Sequence, residues 1–339
     1  MQPISNIYPQ LATPKKVVIT MHQKPEGDAM GSTLGLYHFL TLLGHSATVI
    51  SPTNWAENLN WMPGVKEVLD YERDATVGNN IIGEADLLFC LDFNTLSRTK
   101  NMETALGDAL GERILIDHHR EPQVEKFAYG ISDINKSSTC EMVYDFIMAS
   151  DNADKINTII AECLYTGVMT DTGSFRFPST TGSVHSMVAH LKEKGLVHAP
   201  IHESIFDNNT ESRLRFLGNV LLNRMELFYE YNTAFIAIPQ ADLLKFDIKT
   251  GDTEGLVNFP LGIEGIKFAA IIIDRGEERK CSFRSRGDFD VNTFARTYFN
   301  GGGHFNAAGG ATNDSLEKAS EDFVHAMKQH REQLSTYTF

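Results

Sequence analysis

Val17-Val18-Ile19-Thr20-Met21-His22-Gln23-Lys24-Pro25-Glu26-Gly27-Asp28-Ala29-Met30-Gly31-Ser32 is the stretch from which the fold can be read. It opens on β-branched and apolar residues, the mark of a buried strand. A polar corner follows, and then residues 32–43, where Leu34, Leu36, Phe39, Leu40 and Leu43 recur at helical spacing until Gly44. Strand, corner and helix in that order make half of a βαβ unit. The pattern repeats further along the chain. Residues 47–50, 86–91 and 113–116 read as strands, and their largely apolar composition implies burial on both faces. Ser138-Thr139-Cys140-Glu141 has the form of a capping box opening a helix to about Ala149, and residues 157–169 read as a buried helix. The expectation is an α/β protein with an N-terminal doubly wound, mainly parallel sheet.

The pattern changes after residue 183. Residues 183–225 are helical in period and rich in charge, which reads as a connector. Residues 226–238 read as a hairpin turning near Tyr231-Asn232, residues 266–274 and 280–286 as strands, and 291–299 and 316–333 as helices. This predicts a smaller mixed α/β domain. The expected organisation is a catalytic domain over 1–190, a helical connector over 191–225 and a substrate-binding domain over 226–339.

Composition narrows the function. The 339 residues are 42% hydrophobic and 22% charged, and the formal net charge is −14. Such acidity argues against binding long duplex nucleic acid, which needs a broad basic surface. It leaves room for a small phosphorylated ligand held by cations and a few arginines. No apolar run is long enough for a membrane helix, and the N-terminus lacks a secretory pattern, so a cytoplasmic protein is expected. The four cysteines, Cys90, Cys140, Cys163 and Cys281, form no CxxC pair, which speaks against zinc fingers and disulfides.

Acids and histidines recur after the predicted strands. His22, Glu26 and Asp28 follow the first, Asp92 another and Asp117-His118-His119-Arg120 the next, while Asp171 ends the buried helix. In open α/β sheets the ligand crevice lies outside the carboxyl ends of the strands. His22, Glu26, Asp28, Asp92, His118 and Asp171 therefore form a candidate ligand set. Mixed imidazole and carboxylate donors suit Mn2+, Fe2+, Zn2+ or Mg2+. The set is too large for one ion that must also hold water and substrate, and natural for two ions sharing a carboxylate. Taken singly, Asp92 reads as a turn or cap, the His-His pair as a surface pair and Pro25-Glu26-Gly27-Asp28 as a turn. Their order after successive strands is what gives them weight together.

With these motifs the chain resembles the DHH phosphoesterase family, named for the triplet that is here Asp117-His118-His119. The family's first motif, HxxPDxDA followed by GS, matches residues 22–32, its lone aspartate matches Asp92, and TGxxTDTGxFR matches residues 166–176. The C-terminal half resembles the DHHA1 domain, whose GGGHxxAAG signature is matched by Gly301-Gly302-Gly303-His304 through Gly309. Glu26 stands where the family usually has Asp, a carboxylate on a stem one methylene longer.

The resemblance implies two divalent cations, Mn2+ first, with Mg2+ or Co2+ as other fits. His22, Glu26 and Asp92 would hold one; Asp28, Asp92, His118 and Asp171 would hold the other. Asp117 would orient a histidine. His119 would either donate to a phosphate oxygen or protonate the leaving oxygen. The glycine run Gly301, Gly302 and Gly303 with His304 would bind phosphate through close-approaching N–H groups, the plainer reading being a loop. Arg284 would grip phosphate bidentately, Arg286 less directly, and Arg176 would meet substrate at the rim. The expected substrates are short oligoribonucleotides and 3′-phosphoadenosine 5′-phosphate, and a homodimer is expected from the family. A cyclic-dinucleotide phosphodiesterase is the nearest alternative; a non-catalytic nucleotide-binding module is the alternative from another class.

Overall fold

The structure is a computed structural model describing residues 1–249 and 251–335. Positions 250 and 336–339 of the expected C-terminal domain lie outside the described residues. The chain divides into two compact units, residues 1–208 and 209–339.

In the first unit the strands are β1 (Gln2–Pro3), β2 (Lys16–Thr20), β3 (Ser46–Ser51), β4 (Leu69–Asp70), β5 (Leu87–Leu91), β6 (Glu112–Asp117) and β7 (Tyr129–Ser132). They form one sheet in the order β1-β7-β6-β5-β2-β3-β4. Every pairing is parallel. The helices are α1 (Gly27–Leu42), α2 (Tyr71–Gly83), α3 (Glu103–Asp108), α4 (Thr139–Met148), α5 (Thr158–Asp171), α6 (Gly182–Glu193) and α7 (Ala199–Phe206). Alternate residues of the central strands serve opposite cores, as the period of two requires. Val17, Ile19, Leu87, Phe89, Leu91, Ile114 and Ile116 pack with α1, α4, α5 and α6, whereas Val18, Leu88, Cys90 and Leu115 pack with α2 and α3. This is the doubly wound parallel sheet that the apolar runs predicted.

Two sequence readings change. Helix α1 starts at Gly27, so Asp28 lies in its first turn instead of in the polar corner before the helix. Gly27, Gly31 and Gly35 set one side of α1 against α5; a Cβ on Gly31 would come within 2.4 Å of the Cys163 carbonyl oxygen. Residues 183–225 do not form a separate connector. Val184, Met187, Leu191 and Ile201 are buried in the first core, while Phe216 and Val220 of α8 (Glu211–Asn223) belong to a core of the second unit. The many charges of this stretch mask a narrow apolar stripe at helical spacing.

The second unit continues with β8 (Met225–Phe228), β9 (Thr233–Ile238), α9 (Gln240–Lys245), α10 (Asn258–Leu261), β10 (Phe268–Asp274), β11 (Arg279–Ser285), α11 (Val291–Tyr298), β12 (Gly302–His304), β13 (Ala307–Thr312), α12 (Leu316–Gln329) and α13 (Arg331–Ser335). Its sheet runs β12-β13-β11-β10-β9-β8, with β9 and β10 parallel and the other pairs antiparallel. The predicted hairpin is β8–β9, and Asn232 supplies the left-handed residue at its turn. One face buries a cluster rich in phenylalanine (Phe235, Phe268, Phe283, Phe294, Phe323) under α11 and α12. Of the glycine run, Gly302 and Gly303 open the edge strand β12, with Gly301 just before it. Among the described residues, no helix is long and apolar enough to cross a membrane.

Candidate metal centre

The first sheet has its switch point between β2 and β5, because β3 lies on one side of β2 while β5 and β6 lie on the other. Chain segments leaving such neighbours diverge and open a crevice at the carboxyl ends. His22 follows β2, Asp92 follows β5, and Asp117 ends β6 with His118 and His119 next in line. Asp28 enters from the first turn of α1, and Asp171 is the last residue of α5.

The donor atoms converge. Ligand atoms of Asp28, Asp92 and His118 lie within 4.8 Å of one another, and Asp92, Asp117 and His119 form a second such group. His118 Nε2 is 3.5 Å from Asp92 Oδ1, 3.5 Å from Asp171 Oδ2 and 3.8 Å from Asp28 Oδ2. His22 Nε2 stands 3.5 Å from Asp92 Oδ2. These separations exceed those of good hydrogen bonds. Asp92 holds its central position at a φ of +63°, a left-handed conformation that aspartate adopts more readily than most residues. Such strain persists where the surroundings over-determine it, and it gathers at functional sites.

The far ring nitrogens are anchored. His22 Nδ1–H donates to the Gln23 carbonyl at 2.7 Å, His118 Nδ1–H points at the Lys136 carbonyl at 3.3 Å, and His119 Nδ1–H donates to Asp117 Oδ1 at 2.7 Å. An oxygen acceptor at Nδ1 directs Nε2 of His22 and His118 towards the carboxylates, the arrangement usual for metal-ligating histidines.

The charges are frustrated. Burial, then repulsion from Asp92, pushes the Asp28 carboxyl up to about 6. Asp171 is raised well above the usual carboxylate range, first by burial and then by Asp28, Asp92 and Glu26, against the attraction of His118. Burial disfavours the imidazolium of His118, but Asp92, Asp171 and Asp28 outweigh it and raise that group well above its ordinary value. Burial would also raise Asp92, yet His118 and His22 hold it well below the carboxylate range. His119 is lowered, by burial foremost and also by the positive charge of Arg98. Asp117 is fully buried, and among the described residues its Oδ2 has no hydrogen-bond partner. Clustered carboxylates, an unsatisfied buried oxygen and anchored imidazoles fit divalent cations in donor type and in charge.

Not every expected residue joins these groups. Glu26 is exposed at the N-cap of α1, makes no capping hydrogen bond, and reaches the cluster through its charge on Asp171. Arg176 is exposed and donates from Nε to the Gly173 carbonyl at 2.6 Å. In the second unit, β11, β13 and β12 bring Arg284, Ala307 and His304 into one lateral register. Directly paired residues share a face, so Arg284 and His304 flank a methyl group. Arg286 lies just beyond the end of β11 and is exposed. Two of the glycine N–H groups are already used: Gly301 donates to the Ala295 carbonyl and Gly303 to Asn292 Oδ1. Gly301 and Gly303 answer to packing, since a Cβ on them would lie 1.9 Å from the Gly309 carbonyl oxygen and 2.5 Å from that of Ala307.

Sequence reasoning missed Arg98 and Thr139. Arg98 lies a few residues beyond Asp92 in the short helix Leu96–Met102, and its carbonyl accepts the Gln23 N–H at 2.9 Å. A basic residue so soon after a strand-end aspartate was the available signal. Thr139 was visible only as the residue after a helix cap.

Known proteins resemble this chain in sequence and in fold. Residues 16–168 match the model of the DHH family, N-terminal domain, and residues 231–332 match the DHHA1 domain. A solved exopolyphosphatase-related protein from Bacteroides fragilis is 38% identical, with a TM-score of 0.94 over 98% of this chain and 97% of that one. The bifunctional oligoribonuclease and PAP phosphatase NrnA of Bacillus subtilis is 27% identical over 93% of this chain and 95% of its own length. The cyclic-di-AMP phosphodiesterase GdpP of Bacillus subtilis is 25% identical over 97% of this chain but 50% of its own.

Proposed function

This chain belongs to the DHH phosphoesterase family, and from that premise we propose that it hydrolyses short oligoribonucleotides to mononucleotides and 3′-phosphoadenosine 5′-phosphate to AMP. The observation that carries the reading is the buried group of Asp28, Asp92 and His118 at the switch point of the sheet. End-to-end likeness to a bifunctional oligoribonuclease and PAP phosphatase supports the choice of substrate, because the cyclic-di-AMP phosphodiesterase matches over only half its length.

In this reading His22, Glu26 and Asp92 hold one cation, and Asp28, Asp92, His118 and Asp171 hold a second; Mn2+ is the ion we favour. When bound, two such cations supply Lewis-acid charge that activates water and stabilises charge developing on the phosphate oxygens. The protein's own residues do the rest. Asp117 accepts a hydrogen bond from Nδ1–H of His119 and so fixes its tautomer and ring plane. That tautomer leaves Nε2 as an acceptor in the neutral ring, so His119 must first gain a proton before it can pass one to a leaving oxygen. Arg284, with Arg286 and His304, grips a second phosphate, and Arg176 meets substrate at the rim. The glycine run supplies the close packing on which His304 is mounted.

The test is turnover by the purified full-length chain with Mn2+ of a 5′-labelled dinucleotide, a five-residue RNA, 3′-phosphoadenosine 5′-phosphate and a cyclic dinucleotide, with Asp92→Ala as control. Dinucleotide and bisphosphate turnover by the wild type alone is the expected result. A faster cyclic dinucleotide would move the chain to the phosphodiesterase branch. No turnover of any of them by well-folded, Mn2+-loaded protein would overturn the reading.

A further inference from the structure

We propose that Thr139 is a positioning residue for the metal centre, one side chain and one N–H that together fix Asp28 and Asp92; the inference rests on the metal-dependent reading above. Helix α4 begins at Thr139 behind Ser138, whose Oγ accepts the Glu141 N–H at 3.0 Å. The first N–H groups of a helix have no partner within it. Here two of them grip a carboxylate from a distant part of the chain. Thr139 N–H donates to Asp28 Oδ2 at 2.7 Å, and Cys140 N–H donates to Asp28 Oδ1 at 2.9 Å. Both oxygens are thus held, and the positive end of the helix favours their charge.

The same residue reaches the other carboxylate. Thr139 Oγ1–H donates to Asp92 Oδ1 at 3.0 Å. Oδ1 is the oxygen facing His118, while Oδ2 faces His22. A carboxylate turns easily about its last bond, so the hydroxyl fixes the plane in which Asp92 presents one oxygen to His118 and the other to His22. Thr139 is fully buried, so water cannot readily replace it. Asp92 pairs its N–H with the Ile116 carbonyl in a left-handed backbone. Its main chain is therefore set by the sheet, and its side-chain plane by Thr139.

Thr139→Val keeps the volume and the N–H to Asp28 but removes the hydroxyl. Thr139→Ser restores it. Calorimetric titration of the metal-stripped full-length protein with Mn2+ should show Thr139→Val weakened by about 10–100-fold, the usual effect of losing a group that orients a ligand. Thr139→Ser should stay within a few fold of wild type, and excess Mn2+ should recover much of the rate of the Val variant. Should Thr139→Val not fold, Thr139→Ala carries the same expectation. Wild-type affinity in the hydroxyl-free variant, or a Ser variant as weak as it, overturns the inference. A wild-type protein that binds no Mn2+ overturns the proposed function instead, and the same titration shows which has failed.

Discussion

The carboxyl edge of the first sheet and the small-residue edge of the second handle charge in opposite ways. The first buries it. Asp28, Asp92, Asp117 and His118 are almost wholly removed from solvent, and a helix start, a hydroxyl, the His119 ring and a carbonyl hold them in place. The second leaves Arg284 and His304 half-buried on either side of Ala307, where the sheet is kept low by glycine and alanine. A site of the first kind is built for cations and for chemistry. One of the second kind is suited to gripping an anion without reacting with it. Losses at the first edge should therefore fall on turnover, and losses at the second on substrate affinity.

The largest expected effect is that of Asp92→Ala. Asp92 touches both histidine sides of the centre. Its loss should lower turnover on the order of 10^3-fold or more at any substrate concentration, as for loss of a principal electrostatic element. Steady-state kinetics with Mn2+ would check this; a variant impaired only in KM would break the comparison.

Next are the glycines, which test whether the edges differ in tolerance. A Cβ on Gly167 would sit 2.2 Å from Cys140 Sγ and 2.7 Å from Asp28 Oδ1, whereas one on Gly302 meets nothing nearer than 3.5 Å. Gly167→Ala should cost about 2–3 kcal/mol of stability by overpacking, and should lower Mn2+ affinity with it. Gly302→Ala should leave the denaturation midpoint nearly unchanged. Chemical denaturation of both variants, with and without Mn2+, decides the matter.

Arg284→Ala sharpens the other side. A charge-assisted grip on phosphate contributes about 1.5–3 kcal/mol, so KM for the bisphosphate should rise about 10–100-fold while kcat moves little. A kcat loss equal to that of Asp92→Ala would show that the two edges do not divide the work.

The first sheet was legible because burial on both faces writes apolar runs into the chain, and the strand ends then carry their acids in plain view. His22, Asp92 and His118 could be gathered from the strand ends, Asp28 from the corner after the first strand and Asp171 from the end of the buried helix. What escaped depends on contacts between distant segments. Thr139 acts on Asp28, far away in sequence, through its backbone N–H, a group every residue but proline possesses and no motif can flag. Glu26 was grouped with the ligands by its place in the motif; in the fold it is exposed at a helix N-cap and acts on Asp171 through its charge. The glycine run was read as phosphate-seeking N–H groups. In the fold Gly301 and Gly303 meet a steric requirement, and Ala295 and Asn292 take their N–H groups. Charge hid the burial of α6 and α8, because an apolar stripe one residue wide is diluted in any average.

The smallest effect lies away from both edges and calibrates them. Arg224 donates to both oxygens of Asp242, at 2.7 and 3.1 Å, and Asn219 adds a longer contact. Arg224 is the largest influence on Asp242 and holds it below the usual carboxylate range, against a smaller effect of burial. A depressed folded-state pKa means that the unfolded chain binds the proton more tightly. The stabilisation is therefore complete above the ordinary aspartate value of about 3.9, and it is lost as pH falls through that value towards the folded one. Arg224 is partly exposed, with 39% of its side chain in solvent, so solvent screening limits the pair to about 1 kcal/mol. Asp242→Asn should lower stability by that amount at pH 7 and by less near pH 3, as followed by urea denaturation at the two pH values. Mn2+ should not alter the difference, because this pair belongs to the fold of the second unit and not to either site. A difference that grew with Mn2+ would mean that stability and metal binding are linked across the chain, and that the losses predicted for the two edges could not be read separately.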